Sequence, residues 1–216
     1  MNKIVLLGSG GHAKVVIDIV ELAGEYEVLG LLDDHRPAGT VVCGYEVLGP
    51  LELLGSVQAD GCIAAVGDNA TRERIVRRAE ALAPGLPFVA AVHPKAVIAR
   101  SASLGEGTVV MAGAVVNGDT SVGKHAIINT NASIDHDSVL GDYVSVAPRA
   151  ATGGGVRIGS HAAISIGATI IHGIAIGEHA VIGAGATVVS PIESFAVAYG
   201  TPARVVRRRE AGERYL

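Results

Sequence analysis

A large aliphatic side chain returns at every sixth position from Ile98 to Val188, and this phase constrains the chain more than any other feature. The series runs Ile98, Leu104, Val110, Val116, Val122, Ile128, Ile134, Leu140, Val146, Thr152, Ile158, Ile164, Ile170, Ile176, Ile182 and Val188. Fifteen of the sixteen are Ile, Leu or Val, and only Thr152 departs. Four residues after each stands a smaller residue (Ala102, Thr108, Ala114 and onward), with Ile174 the exception. Ordinary alternating strands do not keep such a phase. One large and one small inward residue per hexad describe one side of a triangular coil, so three hexads close a turn and successive turns pair as parallel strands. The unbroken phase predicts a five-coil prism with no long loop.

Composition agrees and narrows the function classes. Aromatics are 3% of the 216 residues and tryptophan is absent, so the core is aliphatic. A chain 49% hydrophobic and 18% charged folds rather than staying disordered. Its 29 glycines lack the three-residue period of collagen. No apolar run reaches the roughly 18 residues that span a bilayer. A net charge of −4 offers nothing to a nucleic-acid backbone. Cys43 and Cys62 cannot form a disulfide framework, and the opening MNKIVLLGSGGH is broken by glycine too early for a signal peptide. The expected compartment is the cytoplasm.

The first ninety or so residues read differently, and the expected division is 1–94 and 95–216. Lys3 to Leu7 is a short apolar strand, Gly8-Ser9-Gly10-Gly11-His12 a turn, and Ala13 to Ala23 a helix. Val28 to Leu32 is a second strand ending in Asp33-Asp34. Cys62 to Val66 is a third, followed by Gly67-Asp68-Asn69 and a charged helix through Arg72 and Arg78. This is a βαβ pattern with a parallel sheet, about half of a doubly wound dinucleotide fold. The glycine turn fits a mononucleotide site, where backbone N–H groups at a helix N-terminus meet phosphate. His12 can add a donor.

Stacking the coils finds the chemistry of the second half. Residues eighteen apart lie above one another at about one strand spacing, roughly 4.8 Å. One corner column reads Gly118-Asp119, His136-Asp137, Gly154-Gly155, His172-Gly173, and places His136 among Asp135, Asp137 and Asp119. His172 has no adjacent acid. A second column, His125, Tyr143, His161 and His179, reads as a solvated corner. A third holds Ile166 and Ala184. Neither cysteine lies in the repeat, which argues against a thiol nucleophile.

The repeat resembles the hexapeptide-repeat, left-handed β-helix acyltransferases over about residues 96 to 203. The closing Gly200-Thr201-Pro202-Ala203 and the tail after it resemble that family's last segment, and the resemblance implies a basic helix that caps the prism. Both halves together resemble the bacterial acetyltransferases of nucleotide-linked amino sugars, and the sialic-acid O-acetyltransferases of the same layout. The match rests on Gly8-Ser9-Gly10-Gly11-His12, Asp33-Asp34, Val66-Gly67-Asp68-Asn69, His93-Pro94, Asn129-Thr130, Asp135-His136-Asp137 and Gly200-Thr201-Pro202-Ala203. The resemblance implies a Rossmann-like nucleotide-sugar domain followed by the β-helix. It makes His136 the general base, Asp137 its orienting acid and Asn129 a neighbour of the acceptor sugar. It gives the sugar-nucleotide phosphates to Gly10, Gly11 and His12, and the nucleoside to Asp33, Asp34 and Gly67. It puts Ile166 and Ala184 against acetyl-CoA. Relatives carry a second histidine facing the thioester nine residues after the base. Here that residue is Ser145, whose hydroxyl could hydrogen-bond the carbonyl.

The zinc-dependent carbonic anhydrases of this fold need a third imidazole beyond two spaced like His136 and His172. Gly177 stands at that position here, and Ile166 at the one counted from His125 and His161. No metal is therefore expected. The expected activity is transfer of acetyl from acetyl-CoA to the C4 amine of a nucleotide-linked 4-amino-4,6-dideoxy sugar by direct attack, in a homotrimer without nucleic-acid or membrane partners. O-Acetylation of a sialic acid or similar sugar, and a nucleotide-binding scaffold without turnover, remain the alternatives.

Overall fold

The structure, a computed structural model, describes residues 1–214. Its first unit is a five-stranded sheet of order β3-β4-β2-β1-β5, from β1 (Asn2–Leu7), β2 (Tyr26–Leu32), β3 (Val41–Val42), β4 (Tyr45–Gly49) and β5 (Gly61–Ala64). β1 lies parallel to β2 and β5, and β2 parallel to β4. Alternate residues of β1 face opposite layers. Ile4 and Leu6 pack with α1 (Gly11–Ala23), while Val5 and Leu7 pack with Val76 and Ala79 of α2 (Asn69–Leu82). The β3–β4 hairpin turns through Cys43 and Gly44, both at positive φ (48° and 85°).

From Ala91 the chain winds into a three-sided prism of two-residue parallel strands. One face runs through Val97–Ile98, Val115–Val116 and Ser133–Ile134 to Thr187–Val188, and a second from Ser103–Leu104 to Ala175–Ile176. The third starts at Ala91–Val92, passes through Val109–Val110 and Ile127–Ile128, and closes with Ala196–Tyr199 and Arg204–Arg208. Up to Val188 the rungs of each face are offset by eighteen residues, as the hexads require, and the closing rung of Val181 on Val197 is offset by sixteen. The sixth-position aliphatics and the small residues between them form one continuous core. The expected basic helix at the end is absent. Arg204–Arg208 instead pairs antiparallel with Ala196–Tyr199, because the last rung of the third face offers unpaired backbone groups that a strand satisfies and a helix does not. Tyr215 and Leu216, also in that expected helix, lie outside the described residues.

The column expected to be a solvated corner is a stack of rings. Phe88, His125, Tyr143, His161, His179 and Phe195 lie in sequence with centroids 4.5–5.2 Å apart, the last five nearly parallel. His125 to Phe195 each occupy the left-handed turn position of their corner (φ 52–61°). Their side chains point along the column rather than to water, and α2 covers part of it. Burial lowers the His125 imidazole to about 4, so that ring is neutral near pH 7.

The seam between the two units is polar and buried. Arg72 of α2 donates to the carbonyls of Val66, Gly67, His125 and Tyr143, and to Asn69 Oδ1 and Ser145 Oγ. Asn69 Nδ2 reaches the carbonyls of His161 and Ala162. Beside this seam α1 packs through the same apolar cluster as Val109, Met111 and Ile127 of the third face.

Candidate active site

The α/β unit holds a cleft of about 570 Å³ at the carboxyl ends of β1, β2 and β5. The helices following β1 and β5 cover opposite faces of the sheet, so this is its topological switch point, where open α/β sheets bind ligands. Gly8 makes the turn. It sits at φ 104°, and a Cβ there would stand 2.6 Å from Val66 Cγ2. Gly10 caps α1 and Gly11 begins it; no side chain caps this N-terminus and a Cβ at either glycine would meet nothing within 4 Å, an arrangement suited to an anion. His12 follows in the first turn. Burial lowers its pKa to about 4, helped by the Arg72 charge, so it is neutral near pH 7. Its Nε2 is buried without a hydrogen-bond partner among the described residues, which leaves it available to a ligand group.

The two acids expected at the nucleoside line the same cleft, and the fold already uses their carboxylates. Asp33 Oδ2 accepts from Ser9 N and Ser9 Oγ (2.8 and 2.6 Å), and Oδ1 from His35 N (2.8 Å). Burial pushes this carboxyl up, but the hydrogen bonds outweigh it and hold it below the usual range. Asp34 Oδ1 accepts from Leu51 N (3.0 Å) and Oδ2 pairs with Arg78, so its carboxyl is also low. Gly67, Arg74 and Arg214 complete the polar part of the wall; Leu32, Leu51 and Ile75 supply an apolar part. Gly10, Gly11, His12, Asp33, Asp34 and Gly67 are thus brought together.

The prism carries the second set. His136 Nδ1 lies 2.6 Å from Asp137 Oδ2. Asp135 Oδ1 accepts from His136 N and from Asn117 Nδ2 (2.9 and 2.8 Å). The hydrogen bond to Asp137 raises the imidazole pKa, and the Asp135 charge adds to it. The ring lies against Gly154 one coil on, where a Cβ would stand 2.6 Å from Cε1. With Nδ1 bound to a carboxylate, the proton sits on Nδ1, and Nε2 keeps its lone pair. That is the form a general base needs.

Not all the expected residues meet within one chain. His136 and Asp137 occupy the corner between the first and second faces. Asn129, Ile166 and Ala184 lie on the corner between the third and first, as their places in the strand order show. Ile166 is exposed there. Ser145 is at neither corner. It lies on the third face and donates to Asn69 Oδ1 (2.6 Å), inside the domain seam.

Comparison with known proteins matches this layout. The first unit matches the PglD N-terminal domain family over residues 3–79. The chain superposes on PerB from Caulobacter crescentus, in complex with CoA and GDP-perosamine, with a TM-score of 0.88 and 38% identity. That match covers 95% of this chain and 97% of the other. The chain belongs to the family of this perosamine N-acetyltransferase. A second member, the acetyltransferase domain of PglB from Neisseria gonorrhoeae in complex with acetyl coenzyme A, is 36% identical with a TM-score of 0.89, covering 95% and 99% of the two chains. UDP-N-acetylbacillosamine N-acetyltransferase of Bacillus subtilis is 36% identical over 118 residues, and that match spans about half the length of either protein (52% of each).

Within this family layout, sequence reasoning passed over several residues that build the site. Ser9 and His35 hold Asp33, and Arg74 and Arg214 line the cleft. Arg72 was legible only as one cation of a charged helix. The available signal was position: Asn69, Arg72, Val76 and Ala79 form the buried stripe of α2, so an arginine stands where an apolar residue belongs. No helix of the described residues is long and apolar enough to cross a membrane.

Proposed function

We propose that this chain transfers the acetyl group of acetyl-CoA to the C4 amine of a nucleotide-linked 4-amino-4,6-dideoxy sugar, with His136 as general base. The observation that carries this reading is the pair of built sites: a glycine-rich anion cradle at a sheet switch point, and an imidazole held by a carboxylate on a β-helix corner. The relatives crystallised with CoA and GDP-perosamine, or with acetyl coenzyme A, support the two substrate classes. Gly10, Gly11 and His12 bind the diphosphate, and the apolar wall takes the base. The sugar amine attacks the thioester carbon, and His136 Nε2 takes the amine proton as the C–N bond forms. The C–S bond then breaks, and the thiolate of CoA receives a proton. Asp137 fixes the tautomer and favours the imidazolium. Asn129 neighbours the acceptor sugar, and the backbone at Ile166 and Ala184 contacts the coenzyme.

A homotrimer fits the separation of the corners. His136 and the Asn129–Ile166–Ala184 corner lie on different edges of one prism, so a site needing both is completed between neighbouring protomers packed with parallel axes. A monomeric mass by sedimentation at micromolar concentration refutes this assembly.

The reaction is tested by thiol release from acetyl-CoA with UDP-, GDP- and dTDP-linked sugars, each offered with a C4 amine and with a C4 hydroxyl. Release with an amino sugar is the expected result. Release only with hydroxyl sugars makes the chain an O-acetyltransferase, and no release with any sugar makes it a nucleotide-binding scaffold.

A further inference from the structure

The one break in the sixth-position series lies beside the corner of His136. Thr152 sits one coil beyond Ile134, on the same face, with its side chain buried in the core. On this face the residue after each rung donates its N–H to the carbonyl seventeen residues ahead. Ala99 bonds Val116 O (2.8 Å), Asn117 bonds Ile134 O (2.9 Å), Gly153 bonds Ile170 O (2.8 Å) and Ile171 bonds Val188 O (3.1 Å). The fifth member of the series is Asp135, and its N–H goes to Thr152 Oγ1 instead (3.1 Å). The strand pairing shows the same local change. Neighbouring rungs pair at both residues, whereas here only Ser133 pairs, with Ala151. A side-chain hydroxyl has replaced a ladder carbonyl at the residue preceding His136.

The other buried hydroxyls nearby do not share this feature. Thr120 Oγ1 donates to Asp135 O (2.9 Å) and accepts from Ser138 N (3.4 Å). Thr108 does the equivalent at a different corner, donating to Gly123 O and accepting from Ala126 N, so that use belongs to the repeat. Among the described residues Thr152 alone alters the ladder of the prism, as a bulge does when it re-aims one side chain of a strand. A valine of the same shape would suit the aliphatic column and would let Asp135 N–H return to the carbonyl at 152.

We propose that Thr152 is a positioning residue for the reaction: its hydroxyl sets the Asp135-His136-Asp137 corner off the regular coil path and so aims the His136 imidazole at the acceptor amine. The proposal rests on His136 being the base. It accounts for a polar residue in the column of Ile98, Val116, Ile134, Ile170 and Val188, a local rule broken where function gains from it.

The test compares Thr152→Val and Thr152→Ser with wild type and with His136→Ala in the full chain. Thr152→Val is expected to keep the melting temperature of wild type or raise it. It should lower kcat by about 10- to 100-fold, the scale of a misaimed catalytic group, with both KM values nearly unchanged. The imidazole pKa of His136, followed by NMR titration, should move in the valine variant, because its distance to Asp135 and Asp137 changes. Thr152→Ser should restore both kcat and that pKa. Full activity of Thr152→Val beside an inactive His136→Ala overturns the positioning role alone. Parallel loss of kcat and melting temperature, unrescued by serine, reduces Thr152 to a structural residue and also overturns it. An active His136→Ala removes the reading of the base on which the proposal rests.

Discussion

Replacing Arg72 by methionine removes the fork that joins the two units while keeping a stem of similar shape. Four backbone carbonyls, of Val66, Gly67, His125 and Tyr143, lose a charged donor at distances of 2.8–3.1 Å. A buried acceptor left unsatisfied costs about 1–3 kcal/mol. Water can enter the space vacated by the guanidinium, so the low end applies to each, and the total is about 3–5 kcal/mol. For a chain of this size each kcal/mol lowers Tm by about 2–4 °C, giving a fall of roughly 6–20 °C. The α-helices of the described residues, α1 and α2, both belong to the α/β unit, so the far-ultraviolet helix signal reports that unit. Its melting is the assay, because a two-unit chain need not unfold in one step. Arg72→Lys, which keeps the charge and loses the fork, should fall between wild type and methionine. A methionine variant melting within about 3 °C of wild type refutes the reasoning, since it shows the seam to be held by the α1 contact with the third face.

Two further outcomes follow from the geometry of the corner. Asp137→Asn removes the carboxylate that raises the His136 pKa, so the acidic limb of the kcat/KM profile, where protonation silences the base, should move to lower pH; a limb that stays in place assigns it to another group. Gly154→Ala should leave Tm unchanged and lower kcat by about 10- to 100-fold, because the new Cβ stands where the His136 ring lies and the exposed ring gives way; unchanged kcat shows that the ring works from another position.

The prism was legible because its inward positions are read by volume alone. One large and one small aliphatic residue per hexad suffice to fix phase, face and coil, and Ile134, Val146 and Ile164 stand where the period requires. The corner of His136 followed from the same arithmetic. What escaped depends on contacts between elements. The ring column looked solvated because charged residues stand beside its members; in the fold those members stack ring on ring, one coil above the next. Ser145 sits in an ordinary outward position, and only the docking of Asn69 tells which way that face looks. The β3–β4 hairpin turns at Cys43-Gly44, a weaker signal than Asn-Gly although glycine supplies one of the two positive φ angles. The C-terminal helix was expected from the family resemblance, while the open ladder of Ala196–Tyr199 decides for a strand. Corner membership also separates residues that a family resemblance lists together, such as Asn129 and His136.

The most direct test of the central claim compares His136→Ala with His172→Ala, which shares the corner column without a carboxylate partner. With acetyl-CoA and the amino-sugar nucleotide that wild type turns over best, His136→Ala should lower kcat/KM by about 10²- to 10⁴-fold at unchanged Tm and oligomeric mass. His172→Ala should stay close to wild type. Near wild-type kcat in His136→Ala together with its loss in His172→Ala contradicts the account and moves the base two coils along the prism.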